Sequence, residues 1–391
     1  MHWSALTGIL LIAASAHAQE SQNETLLLSN ESGIDVGGAI DLIGEYVATD
    51  APDQDGFDFT ARTLELSAGG SLFEGAQFYA TGVFEYDDLA LTEGAVVLTG
   101  LGGNGSLSLG RTALDFGKQM QLHRHELRTV ERPLVLRTFL GNSSWGDGAR
   151  YDNWFASGDH SAVRFSLGVF GQIGAAGEET SDPTLEPFEE DRREPDSIGL
   201  TARLTGYADL TPTSQFQIGA SYRLVPDFSY DYDPSGASVD GLNVGLLGLD
   251  ATFAWTDVSG VQQWTLGGEL LWLAGDTGTV HDDSGTPLDF TDDNFTVLEE
   301  DSVGFYLYGD YGWDALNSAG LQYSWIELPE SGGPEAGEID LYYTRFLDLL
   351  TSEDRLRFGV TLAHQDSLDE SVRFVIQFTT GIGSHPNQAN W

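Results

Sequence analysis

The sequence predicts an all-β chain, an antiparallel transmembrane barrel of sixteen strands. Three observations carry that expectation: apolar and polar residues alternate with a period of two, short and long connections alternate along the chain, and tryptophans fall near strand ends. Composition narrows the field further. The 391 residues hold 61 Asp+Glu against 17 Lys+Arg, a formal charge of -44, so bulk charge excludes a nucleic-acid partner. Cysteine is absent, which excludes disulfide scaffolds and thiolate catalysis. Hydrophobic residues make up 41% of the chain, ample material to bury or to present to lipid.

The chain begins with an apolar stretch, ALTGILLIAASA at 5–16, followed by Ala16-His17-Ala18, a small-x-small cleavage pattern. Residues 1–18 therefore read as a signal peptide, although Lys and Arg are missing from its start. A short segment, 19–35, leads into a barrel over 36–391. No later apolar run is long enough for a membrane helix.

Within the barrel the alternation predicts strands over 36–48, 57–70, 75–86, 91–100, 104–113, 148–157, 161–172, 196–210, 214–226, 241–256, 260–274, 300–313, 316–328, 336–347, 353–364 and 370–383. In 198–208, Ile198, Leu200, Ala202 and Leu204 oppose Thr201, Arg203, Thr205 and Tyr207; in 371–382, Val372, Phe374, Ile376 and Phe378 oppose Arg373, Gln377 and Thr379. Helical amphipathicity does not produce this pattern. Connections such as SLFE (71–74), LGGN (101–104), TPTS (211–214) and DALN (314–317) are short. Those at 49–56, 114–147, 173–195, 227–240 and 275–299 are long. Short turns on one rim and long loops on the other are the signature of an outer-membrane barrel. Parity alone does not say which face is inside, but the aromatics do. Trp264 and Trp272 share a face eight positions apart, roughly 20 Å along a tilted strand, close to the apolar height of such barrels. With Trp255, Trp313 and Trp325 they form two expected aromatic girdles at the lipid boundary.

This architecture resembles the Gram-negative porin superfamily, over essentially the whole mature chain. Local echoes are Leu109-Gly110-Arg111 at the end of the fifth strand and the terminal Trp391. A fainter likeness joins 117–141, GKQMQLHRHELRTVERPLVLRTFLG, to porin-like, metal-regulated proteobacterial barrels. The resemblance implies residence in the cell outer membrane, contact with lipid and lipopolysaccharide, a homotrimer, and a third loop folded inward to set the pore size. The longest connection, 114–147, falls at that third position.

Its chemistry sets it apart. Residues 111–150 hold seven of the 17 bases: Arg111, Lys118, Arg124, Arg128, Arg132, Arg137 and Arg150. The expected constriction comprises Arg111, Lys118, Arg124, Arg128, Glu131, Arg132 and Arg137, with 119–131 forming a short helix that Pro133 stops. Arg164, Arg203, Arg223, Arg355, Arg357 and Arg373 fall on polar strand faces and would line the lumen with permanent charge. Asp41, Glu45, Glu85, Asp310 and Asp340 would oppose them. Acidic loops at 173–196 and 275–301 are candidate Ca2+ or Mg2+ sites or bridges to lipopolysaccharide; otherwise no cofactor is expected.

Together these features predict a porin, not an enzyme, that passes small hydrophilic solutes and ions. The alternative is a plugless channel for metal ions or their complexes, with His123 and His125 the candidate ligands. On a helix this i, i+2 pair would point apart, so joint ligation requires extended backbone. An outer-membrane enzyme is disfavoured, because neither Gly-x-Ser-x-Gly nor His-Glu-x-x-His occurs. An adhesin would have a filled lumen and fewer strands.

Overall fold

The computed structural model describes residues 34–49, 56–85, 88–141, 144–158, 160–175, 198–232, 237–276, 278–282, 294–299, 301–328, 335–347, 354–365 and 370–383. The signal peptide, most of the 19–35 segment, Trp391, most of both acidic loops and the side chain of Glu85 lie outside them. Among the described residues no helix is long and apolar enough to cross a membrane.

The strands are β1 (34–49), β2 (56–73), β3 (76–85), β4 (88–101), β5 (105–113), β6 (144–158), β7 (161–175), β8 (199–211), β9 (214–232), β10 (237–256), β11 (263–275), β12 (278–282), β13 (294–298), β14 (302–314), β15 (317–327), β16 (335–346), β17 (355–365) and β18 (371–383). Sixteen of them form a closed antiparallel barrel in sequence order, with β11 paired to β14 and β18 paired back to β1. β12 and β13 make a separate hairpin within the connection expected to be a loop. The connection expected at 227–240 is largely strand as well, because β9 and β10 stay paired out to Tyr232 and Ala237. The stretch on either side, FSYDY and ASVD, keeps the two-residue alternation despite its polarity.

The two faces of the wall are inverted relative to a soluble barrel. On β8 Leu204 is 53% exposed while its neighbours Arg203 and Thr205 are 3% and 0% exposed. Leu66, Ile218, Leu270, Leu307 and Ile376 are likewise exposed, and Asp41, Glu65, Ser221 and Gln377 are buried. Exposing that many large apolar side chains in water would forfeit on the order of 25 cal/mol per Å2, so this surface belongs in lipid. All five predicted tryptophans share the outward parity. Trp264 stacks on Tyr311 at 4.3 Å and Trp313 on Tyr343 at 5.9 Å near the short turns, while Trp325 meets Phe305 at 5.8 Å near the long connections.

Candidate functional site

The segment joining β5 to β6 covers 114–143, four residues shorter than expected because β6 begins at Ser144. It does not contain the helix expected over 119–131. That stretch is turns and one 3-10 turn at Arg124–Glu126, and the α-helix, α1, lies at Leu134–Leu140. Pro133 starts α1 instead of stopping a helix. Its fixed φ and missing N–H suit a first turn, and its carbonyl accepts hydrogen bonds from Leu136 N at 2.9 Å and Arg137 N at 3.1 Å. Gly141, at φ 73, ends the helix.

Inward side chains from many strands hold this segment. On β9, Ser221 Oγ accepts from Gly117 N at 3.0 Å and Gln217 Oε1 from Lys118 Nζ at 2.7 Å. On β11, Glu269 Oε1 accepts from Lys118 N at 2.6 Å and Gln119 N at 3.1 Å. Gly117 is required there: its φ is 57, and a Cβ would stand 2.1 Å from Glu269 Oε2. On β15, Ser324 Oγ accepts from Val135 N at 3.2 Å. On β17, Arg357 donates to Leu127 O at 2.8 Å and Thr129 O at 2.7 Å. On β2, Arg62 donates to Val130 O at 2.8 Å and Glu131 Oε1 at 2.7 Å while also pairing with Asp41.

The expected charges divide by what they touch. Arg137 pairs with Glu338, and Arg128 faces Asp310 at 3.8 Å and lies over the Tyr308 ring at 5.8 Å. Arg373 bridges Glu45 at 3.6 Å and Glu131 at 3.9 Å. Arg203 pairs with Asp250 at 2.8 Å, and Arg164 reaches Asp115 at 2.7 Å and also Asp152. Asp340 accepts from Thr361 at 2.6 Å, and Arg223 and Arg355 sit on the inward parity. Arg124 is half-buried beside His123. Arg132 is buried and spends its guanidinium on the carbonyls of Gln119 and Leu122, so it shapes the segment and presents no free charge. Arg111 departs from expectation: it shares the outward parity of Leu109 and makes a two-pronged pair with Asp147 at 2.7 and 2.6 Å. A strand residue one position from Thr112 necessarily faces the other way.

Neighbours shift the segment's titrating groups. Burial, reinforced by the Arg203 guanidinium, pushes Lys118 down to about 7. Burial opposes ionisation of Glu131, but Arg62 and Arg373 outweigh it and hold the carboxyl at about 2. Burial also disfavours an imidazolium at His123, yet Glu65 and Glu93 outweigh it and raise the ring to about 10.

Apolar packing completes the attachment. Phe116, Val135, Leu136, Phe139 and Leu140 form one buried cluster with Val225, Leu246, Leu271, Tyr306 and Ile326 of the wall. Gly248 makes room for it, since a Cβ there would meet Phe116 at 2.8 Å. Glu65, Glu93, Asp152, Asp250, Glu269 and Glu338 were not singled out from sequence. Their only signal is inward parity on a strand, shared with every serine and threonine there.

These features define a class: a closed barrel with a lipid-type outer face and a charged inner wall. The sequence matches no protein-family profile and no curated protein. In fold the chain is similar to an anion-selective porin from Comamonas acidovorans, at 14% identity over 90% of this chain and 100% of that one, with a TM-score of 0.56. It is also similar to OprB of Pseudomonas putida, at 11% identity, 90% and 94% coverage and a TM-score of 0.56. The outer-membrane channel DcaP of Acinetobacter baumannii gives 11% identity, 90% and 99% coverage and a TM-score of 0.53. The fold is that of the outer-membrane porins.

Proposed function

We propose that the protein is an outer-membrane porin through which small hydrophilic solutes and ions diffuse passively, narrowed by segment 114–143 folded into the lumen. The observation carrying this reading is the attachment of that segment to inward side chains on β2, β9, β11, β15, β16 and β17, far apart around one closed wall. A segment tied to so many sectors of an inner surface crosses the space between them. The passage would run past Arg128, whose side chain is 42% exposed, and past Arg373, Glu45 and Glu131. Fixed charges of both signs at such a narrowing orient dipolar solutes and tune ion preference. The exposure of Arg128 supports a lean towards anions, in keeping with the anion-selective porin of similar fold.

Single-channel recording in planar bilayers under a salt gradient tests this. Stable conductance with a zero-current potential of anion-selective sign is expected. A potential of cation-selective sign overturns the lean, and absence of conductance overturns the porin reading. The outward tryptophans would anchor the barrel at the lipid boundary. A trimer, expected from the resemblance, is to be tested by cross-linking in detergent.

A further inference from the structure

Where β2, β4 and the 3-10 turn meet, two imidazoles converge on one carboxylate. His123 Nδ1 lies 2.9 Å and His125 Nδ1 3.4 Å from the same oxygen, Glu65 Oε2, and one ligand atom from each residue falls within 4.8 Å of the others. The backbone explains how an i, i+2 pair does this. His123 stands outside the turn in extended geometry, φ -67 and ψ 156, so its ring swings round to its neighbour's side, 5.7 Å between centroids. On the far edge of His123, Glu93 Oε1 lies 3.5 Å from Nε2. A cavity of about 60 Å3 adjoins the group and is lined by Glu65, Glu93 and His123.

We propose that Glu65, His123 and His125 bind a divalent transition-metal ion of the zinc class, which tethers the segment to β2. Imidazole nitrogen with carboxylate oxygen is the donor set that suits Zn2+, Ni2+ and Co2+, whereas Ca2+ and Mg2+ prefer oxygen alone. Glu93 is the positioning residue: by accepting the Nε2–H of His123 it fixes the tautomer that turns Nδ1 towards the ion. The cavity leaves space for water as the fourth ligand, which needs about 10–15 Å3 on the same measure. Charge agrees, because two carboxylates and two neutral rings around a dication sum to zero. Glu65 and His125 are nearly buried, and the ion would join residues 58 positions apart in the chain. That describes a resident cross-link, not a station on a conduction path, where binding must be weak enough to release. The rival is a plain ion pair, with a protonated His123 held between Glu65 and Glu93.

The test is calorimetric titration of the tag-free, folded barrel with Zn2+, together with the visible absorption of bound Co2+. The expected result is one tight site per chain with the spectrum of a four-coordinate nitrogen–oxygen environment. His123→Ala/His125→Ala should lose that site while keeping the heat-dependent gel migration of a folded barrel, and Ca2+ should not compete. Zinc binding no tighter in the wild type than in the double variant means adventitious binding by surface acids and overturns the proposal. Should the double variant not fold, Glu93→Gln decides. About 10- to 100-fold weaker binding with unchanged stoichiometry is expected, and unchanged affinity overturns the role of Glu93 and with it the site's geometry. Binding is read without current, so a failure of conductance and a failure of metal binding are separate results.

Discussion

Two sectors of the inner wall hold the same segment with different shares of packing and charge. Across β9, β10, β11, β14 and β15 a large apolar contact, Phe116, Leu136 and Phe139 against Leu246, Leu271, Tyr306 and Ile326, backs the hydrogen bonds that Ser221, Glu269 and Ser324 accept from the segment. Across β1, β2, β17 and β18 the contact is ionic and hydrogen-bonded, with Arg62, Arg357 and Arg373 gripping Glu131 and the carbonyls of Leu127, Val130 and Thr129. Among the described residues, a small apolar cluster of Val130 with Ile43 and Val375 adds to it there. The difference teaches a division of labour. In the proposed porin, packing would close one side of the lumen against water, while the charged side leaves Arg373 and Glu45 partly exposed.

The comparison breaks most severely if the apolar side is emptied. Leu136→Ala/Phe139→Ala should cost at least about 3–5 kcal/mol of docking and free α1. Conductance should then rise and become noisy with ion preference little changed, as single-channel recordings would reveal. Arg62→Ala tests the ionic side. It strips a partner from the buried Asp41 and from Glu131, a loss of up to about 3–5 kcal/mol. Hydrogen exchange across 127–132 should quicken, and the preference should move towards cations.

Glu131 offers a smaller, titratable version of that experiment. Its carboxyl is depressed to about 2 in the folded protein, so its stabilisation is complete above about 4.5 and lost as pH falls towards 2. Protection of the segment should hold from pH 8 to pH 5 and decline progressively from about 4 towards 2, while Glu131→Gln should be weaker at neutral pH and flatter with acid. The smallest effect should come from Lys118. Pushed down to about 7, it is charged at pH 5.5 and neutral at pH 8.5. The zero-current potential should shift towards cation preference as pH rises through 7, and Lys118→Met should abolish that shift.

The sequence carried the wall well and the segment poorly, for physical reasons. Alternation along a strand is local, so residues such as Arg203 beside Leu204 declare their faces without knowledge of any neighbour. Inversion of those faces was legible only through tryptophan placement. The β12–β13 hairpin was missed because two five-residue strands interrupt a connection dominated by Asp and Thr. Pro133 was misread because proline ends one helix and begins the next with equal ease. Arg132 and Arg357 show the limit for charges. Both were expected to present a field, and both instead serve backbone carbonyls. Glu65 and His123 meet across 58 positions that no motif connects.

The seam between β1 and β18 has a consequence for assembly. Gly37 pairs with Gly383, so the barrel cannot close until its last strand has been made. Until then two unpaired strand edges stay open. Arg357 of β17 also grips Leu127 and Thr129, some 230 residues earlier. On the proposed reading, segment 114–143 would be gathered between the edges before they join, since a finished ring would admit it only from its rim. Closing the ring and furnishing its interior would then be a single event, and mutations that loosen the segment should surface first as slow or faulty insertion.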